Sequence, residues 1–261
     1  MLLTVDIGNT NIAIGIFEGE RLEQHWKIRS EREKTSDEYG LTLLNLLAVS
    51  GLEASGINSA ILSSVVPPLT PVFQELTRNL FRVKALVVGP GLKTGMSILY
   101  ESPLEVGADR VVSAVAAYAK YGGPCIVVDF GTATTFDAVS SAGEYVGGAI
   151  APGIEIAAEA LYRKTAKLPR IEIRKPHKAI GRTTEASMQS GIYYGYIGLV
   201  SRIIKEMKKE LGEELKVVST GGSAALIHRQ IPQIDEYEPY LVLEGLRIIH
   251  QRNQESVTKK R

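Results

Sequence analysis

Residues 2 to 17 read LLTVDIGNTNIAIGIF: an apolar run that stops at Asp6, a polar turn through Gly8, Asn9, Thr10 and Asn11, and a second apolar run. Residues 126 to 139, IVVDFGTATTFDAV, repeat the shape, with Asp129 and Gly131 standing where the first copy has Asp6 and Gly8. Val5-Asp6-Ile7-Gly8 aligns with Val128-Asp129-Phe130-Gly131 at an offset of 123 residues, Asp6 onto Asp129. Apolar runs of strand length joined by a Gly, Asn and Thr turn predict β-hairpins. Two hairpins of one design predict a duplicated chain.

The neighbouring sequence extends each hairpin into a domain. EGER at 18 to 21 turns the chain into a third strand holding Leu22 and Trp26. Thr35 and Glu38 have capping-box spacing ahead of a helix with an apolar face of Leu41, Leu44, Leu47 and Ala48, closed by Gly51. Residues 58 to 66 read as a buried strand ended by Pro67 and Pro68, and Thr70 with Pro71 predicts the start of another helix. KALVVG (84 to 89) is a further strand, and residues 107 to 123 are an Ala-rich helix with a glycine stop.

The second half restarts with CIVVDF, TTFDAV and EYVGGAI as strands, followed by a helix from Pro152 and an irregular loop over 166 to 181. Residues 184 to 211 read as one long helix, KVVST (216 to 220) as a strand running into a turn and helix, and 240 to 252 as a last helix. Strands first and alternation afterwards predict an α/β chain with mixed sheets flanked by helices. The expected domains are 1–115 and 116–261, the final helix being able to pack back on the first.

Composition bounds the chemistry. The chain has 261 residues, 44% of them hydrophobic and 23% charged, with a net charge of +1. That balance offers no footprint for nucleic acid or an anionic membrane, and no run reaches the ~18 apolar residues of a membrane span. Only the tail VTKKR is locally basic. The single cysteine, Cys125, lies inside an apolar run, which suits a reducing cytoplasm.

The hairpins carry the functional signal. Gly8 and Gly131 permit close backbone approach, turn N–H groups can converge on an anion, and the hydroxyls of Thr10, Thr132 and Thr134 add donors. A carboxylate beside phosphate makes sense with a cation between them. Two such turns facing across a cleft would hold a nucleoside triphosphate. GPGLKTG (89 to 95) is no P-loop, because Leu92 stands where the pattern needs glycine before the lysine. Asp109 of GADR has two readings: an acid offsetting the dipole at a helix start, or a base beside an anion-binding Arg110.

Taken together, DIGNTN, GADR, DFGTATTFD, GGAIAPG and TTEASMQSGIYYGY resemble the type III pantothenate kinases, in order and over nearly the whole chain. The resemblance implies two ribonuclease-H-like domains of the acetate and sugar kinase, Hsp70 and actin superfamily, with a nucleotide cleft between them. It implies transfer of the ATP γ-phosphate to pantothenate, towards coenzyme A. Asp6, Ile7, Gly8, Asn9, Thr10, Asn11, Ile12 and Ala13 would form the first phosphate loop, Asp6 near the Mg2+-bound phosphates, and Thr132 would contact ATP from the second. Asp129 would ligate a K+ or NH4+ ion, and Asp109 would be the proton acceptor. Tyr100, Gly107, Ala108, Arg110 and Thr184 would join Asp109 in the pantothenate site, Arg110 on the substrate carboxylate.

The resemblance also implies a homodimer. Gly191, Gly195 and Gly198 would let another helix approach, either across that interface or within one subunit. The alternatives are a non-catalytic nucleotide-binding regulator or another small-molecule kinase of the superfamily.

Overall fold

The structure, a computed structural model, describes residues 1–212 and 214–258, with side chains through residue 255. The basic tail at 257 to 261 lies outside those described side chains. The chain forms two compact units. The first comprises Met1–Met96, Glu101–Ala116 and the C-terminal segment from Leu241; the second comprises Ser97–Tyr100 and Ala117–Tyr240.

In the first unit β1 (Leu2–Ile7), β2 (Asn11–Glu18) and β3 (Arg21–Arg29) form an antiparallel meander. Then β4 (Ser59–Ser64) pairs parallel to β1, and β5 (Leu86–Val87) parallel to β4, giving the order β3-β2-β1-β4-β5. Leu3, Val5 and Ile7 point into one core with Ile12, Ile14 and Ile16, under α1 (Ser36–Val49) and α2 (Leu69–Phe81). The final helix, α7 (Leu241–Thr258), lies against β1, β2 and β4 of this same unit. Each aliphatic side chain buried here contributes about 1.5–3 kcal/mol before the entropy of ordering is charged against it.

The second unit repeats the plan. β6 (Cys125–Phe130), β7 (Ala133–Val139) and β8 (Tyr145–Pro152) are antiparallel neighbours, and β9 (Lys216–Thr220) and β10 (Glu236–Tyr237) add in parallel. The order β10-β9-β6-β7-β8 is the first sheet's order read from its other edge. Ile126, Val128 and Phe130 pack with Tyr193, Tyr196, Val200 and Ile204 of α5 (Thr184–Leu211), beside α4 (Ile154–Lys164) and α6 (Ala224–Ile227). Helix α3 (Ala108–Tyr121) belongs to the first unit up to Ala116 and to the second from Ala117.

Most predicted elements are present, and α1 carries the capping box of Thr35 and Glu38. Three details differ. The buried stripe of α1 is Tyr39, Leu43 and Leu47, while Leu41 is 64% exposed. Tyr39 decides the rotation: its hydroxyl bonds the Glu31 backbone at 2.8 and 3.0 Å and its ring lies 4.9 Å from Phe73. Helix α2 begins at Leu69, because Pro68 is already helical and the Leu69 N–H closes a turn onto Val66, so Thr70 is no cap. Strand β5 is only two residues long, and β10 has no distinct apolar signal.

Cys125 is fully buried in β6, and burial pushes its thiol up to about 12, so it stays protonated and inert at neutral pH. Among the described residues no helix is long and apolar enough to cross a membrane.

Candidate active site

Alternation along β1 sends Val5 and Ile7 into the core and leaves Asp6 half-buried on the other side of the strand end. Asp6 stands opposite Ala13 on β2 and Ser63 on β4. Ser63 is fully buried and donates its hydroxyl to Asp6 Oδ1 at 2.5 Å, which fixes the carboxylate. The turn closes with the Gly8 N–H bonded to the Asn11 carbonyl at 3.1 Å, presenting Asn9 and Thr10 to solvent while Ile12 returns to the core.

Asp109 lies in the first turn of α3, half-buried, and its Oδ1 accepts the Arg110 N–H at 2.8 Å. A Cβ on Gly107 would stand 2.5 Å from that oxygen and 3.5 Å from Val65. Glycine is therefore what leaves room for the carboxylate to fold back over the helix start. The Val65 N–H in turn donates to the Ile7 carbonyl at 3.0 Å. These contacts bring GADR, with Ala108 and Arg110, to the end of β1 from which the first hairpin turn departs.

In the second unit Asp129 occupies the matching strand end, half-buried. The residue packed on it was missed by sequence reasoning. Gly221 has φ +97°, and a Cβ there would come within 2.3 Å of Asp129 Oδ1 and 2.6 Å of the Phe130 nitrogen. The Gly221-Gly222 pair directly after a strand is the signal that marks it. Thr132 is exposed at the turn, where its carbonyl accepts the Gly153 N–H. Thr134 is not available as a ligand donor: it is fully buried, and its hydroxyl is bonded to that of Tyr196 on α5. A cavity of about 480 Å3 opens beside Gly222 and Ser223, lined also by Arg170, Glu155 and Ile171.

Tyr100 is half-buried and grouped with the second unit, its ring edge-on to Tyr145 at 6.4 Å. Thr184 is exposed at the start of α5, next to Thr183, whose hydroxyl caps the helix by accepting the Ala186 N–H at 3.1 Å. Gly191, Gly195 and Gly198 are exposed, and nothing lies within 4 Å of where their Cβ atoms would stand. Among the described residues, then, these glycines serve no close packing inside the subunit.

The family sequence model described as type III pantothenate kinase matches residues 2–206. This chain belongs to the type III pantothenate kinase family. It is 55% identical to the type III pantothenate kinase of Moorella thermoacetica, covering 97% of this chain and 100% of that one. It is 52% identical to the type III pantothenate kinase of Geobacter sulfurreducens, covering 98% and 100%. The ethanolamine utilization protein EutJ of Carboxydothermus hydrogenoformans has the same fold, with a TM-score of 0.56 at 16% identity over 95% of this chain and 89% of that one. The fold is the actin-like one of the acetate and sugar kinase, Hsp70 and actin superfamily.

The oxygens at both strand ends suit hard cations. Asp6 and Asp129 offer carboxylates, and the backbone of Gly221 packs directly against the carboxylate of Asp129. Replacing Gly221 tests that arrangement. Gly221→Ala forces a β-carbon into Asp129 at positive φ, with an expected loss of roughly 1–3 kcal/mol in urea unfolding. Unchanged stability would show that Asp129 and Gly221 are not in the contact described.

Proposed function

We propose that the chain works through Asp109 at the first hairpin and Asp129 at the second. It is a pantothenate kinase: it uses ATP to phosphorylate pantothenate, the reaction that leads into coenzyme A biosynthesis. The observation that carries the residue assignment is Asp109 held over Gly107 at the strand end beside the Gly8–Asn11 turn.

Asp109 takes the proton of the primary hydroxyl as the hydroxyl oxygen forms its bond to the γ-phosphorus. The bond from that phosphorus to the bridging oxygen breaks and ADP leaves. The hairpin from Asp6 to Ala13 holds the phosphates at its turn, where Asn9 and Thr10 are exposed, and Thr132 adds a contact from the second hairpin. Asp6 would stand beside a Mg2+ ion, which would neutralise phosphate charge when bound, and Asp129 would hold K+ or NH4+. Arg110 pairs with the pantothenate carboxylate, and Tyr100 and Thr184 complete the substrate site. The cavity beside Gly222 suits the nucleoside of ATP, since Gly221 adjoins the second hairpin.

The same reading includes a homodimer. The exposed glycine stripe of α5 borders an apolar groove of about 580 Å3 lined by Leu161, Met188, Ile192 and Leu199, and Tyr194 beside it is 43% exposed. A second copy of α5 fits such a stripe, because missing side chains let helix backbones approach. Gly195→Arg is expected to convert a sedimenting dimer to monomer. A parent protein that sediments as a monomer, or a variant that stays dimeric, contradicts this interface.

The activity is tested by incubating the protein with ATP, magnesium and pantothenate in matched potassium and sodium buffers, beside Asp129→Asn. Phosphopantothenate is expected to form fast in potassium and slowly in sodium, and the variant should lose about tenfold or more of the potassium stimulation. No product in potassium or ammonium from folded protein would overturn the assignment. A variant that keeps its potassium response would remove Asp129 from the cation site.

A further inference from the structure

Asp137 sits in the middle of β7, 1% exposed, opposite Gly148 on β8. Its Oδ1 accepts a hydrogen bond from the Tyr145 hydroxyl at 2.7 Å and its Oδ2 one from the Thr135 hydroxyl at 3.0 Å. Tyr145 is fully buried. A buried carboxylate costs desolvation energy, and an apolar side chain of similar size commonly serves a sheet interior as well or better. Core stability gives little reason for an aspartate here.

Tyr145 supplies the reason. Its backbone holds a short strap of chain: the Leu99 N–H donates to the Tyr145 carbonyl at 2.8 Å, and the Tyr145 N–H donates to the Ser97 carbonyl at 2.8 Å. Ile98 thereby forms an isolated parallel bridge to Tyr145. The strap ends in Tyr100, whose ring meets the Tyr145 ring edge-on, with centroids 6.4 Å apart and planes at 62°. The backbone of Gly147, at φ +135°, lies beside the same ring: a Cβ built there would be 3.9 Å from Tyr100. Tyr100 thus rests on a support whose orientation is set by the hydroxyl clamp at its far end. The Tyr145 and Thr135 hydroxyls, one on each oxygen, hold the Asp137 carboxyl in a single orientation.

We propose that Asp137 is a positioning residue for pantothenate, acting through Tyr145 to aim Tyr100. The inference rests on the reading that Tyr100 lines the pantothenate site. Tyr145→Phe removes one hydroxyl and keeps the ring, the strap's backbone bonds and the packing. Asp137→Ala removes the acceptor, whereas Asp137→Asn keeps an oxygen that the tyrosine can donate to.

Steady-state kinetics with ATP and pantothenate varied separately, beside thermal melts and the control Tyr100→Ala, test the chain of contacts. Tyr145→Phe and Asp137→Ala are expected to raise KM for pantothenate roughly tenfold, with KM for ATP and kcat changed about twofold or less. Asp137→Asn should restore most of the loss. If Tyr100→Ala raises KM for pantothenate but Tyr145→Phe leaves it unchanged, the positioning role is overturned while the site reading stands. If Tyr100→Ala itself leaves that KM unchanged, the site reading falls, and the inference with it. Lower melting temperatures with unaltered KM in the Asp137 variants would reduce the clamp to a purely structural one.

Discussion

A carboxylate at the end of a strand buried on both sides needs polar partners and room for its oxygens, and small residues of the neighbouring parallel strand or just beyond it contribute here. Ser63, itself in the core of the first unit, donates to Asp6 across a parallel strand pair. Gly221, after the strand parallel to β6, leaves the space that Asp129 Oδ1 fills. Both contacts come from the parallel strand beside the hairpin or the residue just after it, so each needs the antiparallel meander and the parallel addition in one sheet. Neither hairpin alone would hold its acid in place.

The duplication extends to burial. β1 and β6 share the same pattern, five positions buried with only the aspartate partly open, and β2 and β7 agree over seven positions. The turns between them differ. Ile7 pairs with Ile12 while Phe130 pairs with Thr134, so the first turn is one residue longer. Asn9 and Thr10 are exposed in the first turn and Gly131 and Thr132 in the second, while Thr134, bonded to Tyr196, is buried at the position that matches Ile12. The first turn is thus the richer in exposed polar side chains, and the second hairpin is tied by a hydroxyl to the helix that packs on it.

Period and punctuation made much of this legible in the sequence. The hairpins, the capping box at Thr35 and the long helix from Thr184 to Leu211 are all written locally. What stayed hidden depends on contacts distant in sequence. The rotation of α1 is set by a tyrosine reaching the Glu31 backbone, not by the leucine spacing. Thr134 looks like its neighbour Thr132 until the helix that takes its hydroxyl is known. Gly107 in GADR reads as the opening of a helix, and only the fold shows that its missing β-carbon is what admits the Asp109 carboxylate. Sequence marked the acids; only the fold shows which small residues hold them.

The central claim is that Asp109 accepts the proton from the attacking hydroxyl, and the pH dependence of kcat/KM for pantothenate in Asp109→Asn tests it most directly. The account predicts a loss of about a hundredfold or more, an acidic limb in the parent that is absent from the variant, and a KM for ATP changed less than about twofold. A variant that keeps activity within a few-fold of the parent and the same pH profile would contradict it.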